Sequence, residues 1–164
     1  MAVRFKRYAT GDVDLYLVLV EDLKVMRYIT ERALSLNEGQ GEFLDILAYN
    51  GSHQDGTGYF KVYRGEDYLG FAKISWRPER ELEVGYMLLP HFWGQGLGGE
   101  ILSHLLKIVD QSENLINVPV MAVIDPDNQA SKYLLKKQGF VSSWQGMEDG
   151  LATEYLHRPI KNAD

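Results

Sequence analysis

The chain contains no cysteine, which removes disulfides, thiolate metal sites and a cysteine nucleophile from consideration. It has no apolar run approaching the roughly 20 residues that a membrane-spanning helix requires, and its opening stretch MAVRFKRYAT carries no apolar signal core. A cytoplasmic location is expected. Basic residues are outnumbered, 17 Lys and Arg against 23 Asp and Glu, for a formal net charge of -6 and a pI near 5.2. Nucleic acids and anionic membranes need a clustered basic face, so neither is expected as a partner; positively charged partners are weakly favoured. Repeats, low-complexity tracts and Pro/Ser-rich linkers are missing too, and proline numbers only 5. What is present, 164 residues with 45% hydrophobic and 24% charged content, suits a single domain over residues 1–164.

Along the chain the hydrophobic period changes twice. Val3, Phe5 and Tyr8 suggest a first strand that ends at Thr10-Gly11-Asp12, where a helix through Leu15 to Val20 is expected to be capped. A further helical stretch holds Phe43, Leu44, Ile46, Leu47 and Ala48, with Asn50-Gly51 as its stop. Tyr59 to Tyr63, Tyr68 to Trp76 and Leu82 to Leu89 then read as three strands joined by short polar turns, an antiparallel meander. The remainder alternates: helix Gln95 to Val109, strand Val118 to Ile124, helix Asn128 to Gln138, and two strands around Val141 to Trp144 and Thr153 to Leu156. The order β-α-α-β-β-β-α-β-α-β-β implies an α/β (α+β) fold with a mixed sheet, antiparallel in its first half and closed by a crossover helix in its second.

Between the meander and the next helix stands HFWGQGLGGE, residues His91 to Glu100. Gly94, Gly96, Gly98 and Gly99 let the backbone turn its N–H groups inward, and a helix start adds unpaired donors and partial positive charge, so a phosphate or pyrophosphate is the expected guest. Gly94, Gly96 and Gly99 also spell the GxGxxG of dinucleotide enzymes. That fingerprint should open a βαβ unit and be followed by further parallel units, whereas here it arrives late and behind hairpin-linked strands.

A second segment, Asp125-Pro126-Asp127-Asn128-Gln129-Ala130-Ser131, ends a strand and starts a helix that closes on Gln138-Gly139-Phe140. The two segments together resemble the GNAT superfamily of acyl-CoA-dependent N-acetyltransferases, through its GxGxG/A phosphate loop and its following NxxA/S…GF helix. LEVGYMLLPHFWGQGLGGEIL resembles more narrowly the branch that acetylates N-termini of ribosomal proteins. The likeness is close from Gly70 to Phe140 and thin in the N-terminal third. Two departures stand out. Trp93 occupies the place, three residues before Gly96, where the superfamily usually has Gln or Arg, and Leu135 occupies the place of the usual proton-donating Tyr.

The resemblance implies a strand at Leu82 to Leu89 that bulges and splays from its parallel neighbour, freeing backbone groups of Met87, Leu88 and Leu89 for the pantetheine arm of acetyl-CoA. It implies a pyrophosphate on the N–H groups of Gln95, Gly96, Leu97, Gly98 and Gly99, and Asn128 beside the pantetheine, with an ordinary helix cap as the plainer reading of Asn128. Glu83 matches the family's general base; alternation puts it with Gly85 and Met87 on one face, away from Leu82 and Val84. Ser131, one helical turn from Asn128, is the candidate donor to the departing thiolate, or else a small residue that lets helices approach. Tyr155 is an outside candidate for that donor, and Tyr133 reads as core. Met87 is the expected backbone donor to the thioester oxygen. The acceptor wall is expected at Met26 to Arg32 and Met147 to Gly150, where Glu148 and Asp149 suit a cationic amine.

The implied reaction is direct transfer of acetyl from acetyl-CoA to a primary amine, on a protein N-terminus or on a small molecule such as a polyamine or aminoglycoside. A non-catalytic acyl-CoA-binding module is the alternative. His53, His91, His104 and His157 show no ligand spacing, so no metal is expected. A monomer or a homodimer is compatible with all of this.

Overall fold

The computed structural model describes residues 1–160. A seven-stranded mixed sheet forms its centre, in the order β1-β2-β3-β4-β5-β7-β6. The strands are β1 (Arg4–Arg7), β2 (Gly58–Arg64), β3 (Asp67–Trp76), β4 (Leu82–Leu88), β5 (Val120–Ile124), β6 (Val141–Glu148) and β7 (Leu151–Arg158). The helices are α1 (Val13–Val20), α2 (Leu23–Met26), α3 (Leu36–Ser52), α4 (Leu97–Gln111) and α5 (Gln129–Lys137). The expected strand order and meander are present, and the last hairpin is longer than its apolar residues alone suggest.

Two hydrophobic clusters lie on opposite faces of the sheet. Val62, Ala72, Ile74, Leu82 and Val84 meet Ile101, Leu102, Leu105 and Val109, the apolar stripe of α4. On the other face Phe71 packs against Tyr8, Tyr16, Leu19, Val20, Met26, Phe43 and Ile46 from the N-terminal helices. Strand β4 serves both, with Tyr86 and Leu88 against the first cluster and Met87 against the second.

The N-terminal region departs from expectation in its details. Asp12 does not cap α1; its carboxylate accepts the Ala9 N–H at 2.8 Å and pairs with Lys61 Nζ at 2.8 Å, so a 3-10 turn at Thr10–Asp12 is tied to β2. The single turn α2 is additional. Asn50 does not stop α3, which runs on to Ser52. The buried Asn50 amide accepts the Tyr59 N–H at 2.9 Å and donates to the carbonyls of Tyr8 and Tyr59. It therefore fastens α3 to the first two strands. The N-terminus of α3 carries a capping box, Ser35 Oγ taking the Glu38 N–H while Glu38 Oε1 takes the Ser35 N–H.

Strands β4 and β5 are parallel but pair only at Leu82↔Val120 and Glu83↔Met121. Beyond that point they diverge. The register of β4 against β3 is continuous from Leu82 to Leu88, so the splay arises without the expected bulge in β4. Crossover helix α4 packs over the gap on one face, and α1 to α3 cover the other.

Candidate active site

The divergence of β4 and β5 opens a cleft of about 1220 Å³ that passes through the sheet. On the α4 face its lining includes Trp93, Gly94, Gly96, Gly98, Asn128, Ser131 and Leu135; on the α3 face it includes Tyr16, Glu42, Asp45, Tyr49, Lys73 and Glu83.

The glycine loop bridges the end of β4 and the start of α4. Gly96 is the N-cap of α4 with φ 75°, a left-handed conformation that a side chain opposes. The helix N-terminus is thereby left open, with its first N–H groups unpaired. Gly98 serves packing instead: a Cβ there would lie 3.1 Å from both the Leu134 Cδ1 and the Tyr86 hydroxyl. Gln95 turns its side chain toward Arg64, at 3.4 Å, so what it offers a ligand is its backbone.

The backbone of β4 is more selective than expected. Leu89 N–H donates to Leu69 O at 2.9 Å, toward β3, whereas Leu82 N–H donates to Pro119 O at 2.8 Å, toward the β5 side. Alternation then points the groups of Glu83, Gly85, Met87 and Leu89 at β3, and those of Val84, Tyr86 and Leu88 at the gap. Met87 O indeed lies only 2.0 Å from where a Gly70 Cβ would stand on β3. Of the three residues expected to offer backbone groups to a cofactor, only Leu88 faces the cleft; Met87 contributes its side chain. Trp93, at the departure from the family pattern, donates its indole N–H to Leu88 O at 2.9 Å.

Glu83 sits on the α3 face as alternation requires, but it is not a free carboxylate. Lys73 Nζ lies 2.7 Å from its Oε2 and Arg77 Nη1 lies 2.8 Å from its Oε1. Burial alone would raise its pKa; the two cations outweigh this and hold it below the ordinary carboxylate value. Arg77 also lies 3.8 Å from Glu81, which in turn meets His157 Nε2 at 2.9 Å. Lys73 and Arg77 went unnoticed in the sequence. Their signal was the hairpin register, which sets Lys73 opposite Gly85 and diagonal to Glu83, a separation that long side chains bridge.

On the other face Asn128 caps α5, its Oδ1 accepting the Ser131 N–H at 3.2 Å, while also lining the cleft. Ser131 Oγ lies 3.4 Å from the Tyr86 hydroxyl. Burial raises the Tyr86 pKa, which keeps this hydroxyl a proton-bearing donor at neutral pH. Leu135 is buried and contributes no donor. The Tyr155 hydroxyl donates a hydrogen bond to Glu148, and neither belongs to the cleft lining; of the two expected acceptor walls, only Met26 to Thr30 lines it. Tyr133 is 65% exposed and is not core, because it stands on the outer face of α5. Among the described residues no group of three or more His, Asp or Glu side chains is placed to hold a metal ion, and no helix is long and apolar enough to cross a membrane.

The split between β4 and β5 beside a glycine loop is the arrangement that the resemblance implies, and a family match accompanies it. Residues 3–141 match the model of the acetyltransferase (GNAT) domain; the chain belongs to the GNAT acetyltransferase family. Among curated proteins it is 29% identical over 91 residues to the uncharacterized N-acetyltransferase YoaA of Bacillus subtilis, a match covering 55% of this chain and 46% of that protein. The chain therefore spans about half the length of that relative. Among solved structures it is similar to RimL, a ribosomal L7/L12 alpha-N-protein acetyltransferase in complex with coenzyme A. That likeness has a TM-score of 0.78 and 16% identity, covering 100% of this chain and 97% of the other. It is also similar to spermidine N-acetyltransferase from Vibrio cholerae, in complex with CoA and spermine, with a TM-score of 0.73, 15% identity and 94% of each chain covered. At these identities the two structures speak for the fold alone.

Proposed function

We propose that this chain transfers an acetyl group from acetyl-CoA to a primary amine by direct attack within a ternary complex, the acceptor being a protein N-terminus. One observation carries the reading: the cleft between β4 and β5 joins the open helix N-terminus at Gly96 to the carboxylate of Glu83.

The glycine loop suits the pyrophosphate, with backbone N–H groups of Gln95, Gly96, Leu97, Gly98 and Gly99 as donors. The gap-facing backbone of Leu88 and Tyr86 takes the amides of the pantetheine arm as an added strand would be taken. The Tyr86 N–H, in place of Met87, faces the thioester oxygen and supports the negative charge that grows there. Asn128 borders the same arm while capping α5.

The amine enters from the α3 face and meets Glu83. An α-amino group with a pKa of about 7.7 to 8.0 is largely protonated at neutral pH and must lose a proton before it attacks. Held low by its two cations, Glu83 is a weak base; it orders a water that accepts the proton and passes it on. The amine nitrogen then bonds to the carbonyl carbon, the C–S bond breaks, and the electron pair leaves on sulfur while the nitrogen's second proton passes through water to the thiolate. Ser131, hydrogen-bonded with Tyr86, meets that sulfur as a donor. Without cysteine no thioester can form on the chain, and juxtaposition of the reactants supplies much of the rate.

The protein N-terminus is favoured by the likeness of Glu83-Val84-Gly85-Tyr86 and Trp93-Gly94-Gln95-Gly96 to the ribosomal-protein branch. A small polycationic amine is the second reading, favoured by Glu42 and Asp45, exposed carboxylates at the α3 mouth of the cleft. Release of free CoA across N-terminal peptides, polyamines and aminoglycosides decides between them. Turnover of none of these leaves a non-catalytic acyl-CoA-binding module. Glu83→Gln is expected to lower turnover about a hundredfold with acetyl-CoA affinity kept; an unchanged rate removes Glu83 from the mechanism.

A further inference from the structure

The α3 half of the cleft already contains an amine. Of the lysines lining it, Lys24 stands exposed at the mouth, whereas Lys73 lies inside. Its Nζ is 2.7 Å from Glu83 Oε2, and its side chain is only 21% exposed. Register places Lys73 directly across from Gly85. Because Gly85 has no side chain, the lysine stem crosses β4 there, with Cε 3.4 Å from where a Gly85 Cβ would stand. The next residue, Tyr86, is one of those whose backbone faces the gap. In the acetyltransfer reading above, the ammonium of Lys73 thus occupies the position beside Glu83 that the acceptor amine is assigned.

We propose that Lys73 is itself an acetyl acceptor, and that the chain modifies its own Lys73 Nζ when acetyl-CoA is bound and no other amine competes. This rests on the acetyltransfer reading above. The Lys73 ammonium gives a proton to the Glu83 carboxylate or its ordered water. The freed nitrogen lone pair bonds to the thioester carbon, the C–S bond breaks with its electron pair on sulfur, and the nitrogen's second proton passes through the ordered water to the thiolate, so that CoA leaves as the thiol while the proton on Glu83 returns to solvent. The products are an acetamide on Lys73 and free CoA, and no further reactant is needed. The modification removes one of the two cations at Glu83 and fills the acceptor position with a neutral amide. It therefore slows turnover of external amines.

The test is incubation of the purified chain with acetyl-CoA alone, followed by proteolysis and mass spectrometry. One acetyl group should accumulate on Lys73, saturably in acetyl-CoA and at a rate per chain independent of protein concentration. It should form at least about tenfold faster than on the exposed Lys136 and Lys137 of α5, since only Lys73 gains from proximity. Lys73→Arg, which keeps a cation beside Glu83, should abolish the rapid phase. Labelling of Lys73 no faster than of Lys136 and Lys137, in a protein that binds acetyl-CoA by calorimetry and turns over an external amine, overturns the inference and leaves the acetyltransfer reading standing. Absence of acetyl-CoA binding overturns both.

Discussion

Glu83 shows how one carboxylate is shaped by neighbours that no local motif announces. Its folded-state pKa lies below the ordinary value, so the stabilisation from Lys73 and Arg77 is complete above the unfolded carboxyl pKa of about 4.3 and is lost as pH falls through the depressed value. Glu83→Gln should therefore destabilise the fold by about 2 kcal/mol at neutral pH, with the difference closing on acidification as the native carboxyl also becomes neutral. Thermal unfolding of both forms across the acidic range checks this; a difference constant with pH would show that the ion pairs contribute nothing. Trp93 illustrates the complementary case, where a residue read only as a departure from a pattern proves to hold Leu88 O, a carbonyl on the gap side of β4.

At the level of elements, the meander, the amphipathic α4 and the α5 that follows Asn128 were legible because their periods are strong and their ends are marked, by glycine before α4 and by the Asn128 cap of α5. The gap-facing backbone was legible only in part. Strand identity follows from side chains, whereas the direction of each N–H depends on register, and register is set by the partner strand. That is why, of the expected Met87, Leu88 and Leu89, only Leu88 faces the gap, in company with Tyr86. The N-terminal third was read least well because its polar residues act across elements. Asn50 looks like a helix stop, yet it is the fastening between α3 and the strands at Tyr8 and Tyr59. Asn50→Ala leaves those groups unpaired in a buried place and should cost roughly 1–3 kcal/mol, measured by denaturant unfolding. A loss near zero would mean that water replaces the amide there.

For the whole molecule, the sheet is incomplete on its own, because β4 and β5 part after two paired residues. A ligand that occupies the gap acts as a missing strand and binds the folded state alone. Acetyl-CoA at about a hundredfold above its Kd should add about 2.7 kcal/mol to stability and raise Tm by several degrees. A Gly96→Val chain should show no such rise, since a β-branched residue opposes the left-handed backbone at the loop; an equal rise in both would place the ligand elsewhere. The cleft that crosses the sheet has one further consequence. Its lining is exposed at both ends, at Trp93 and Gly94 on one face and at Glu42 and Asp45 on the other. In the reaction proposed above, each substrate thus has its own doorway, so that neither has to queue behind the other and spent CoA is free to depart while the acylated product still sits in place.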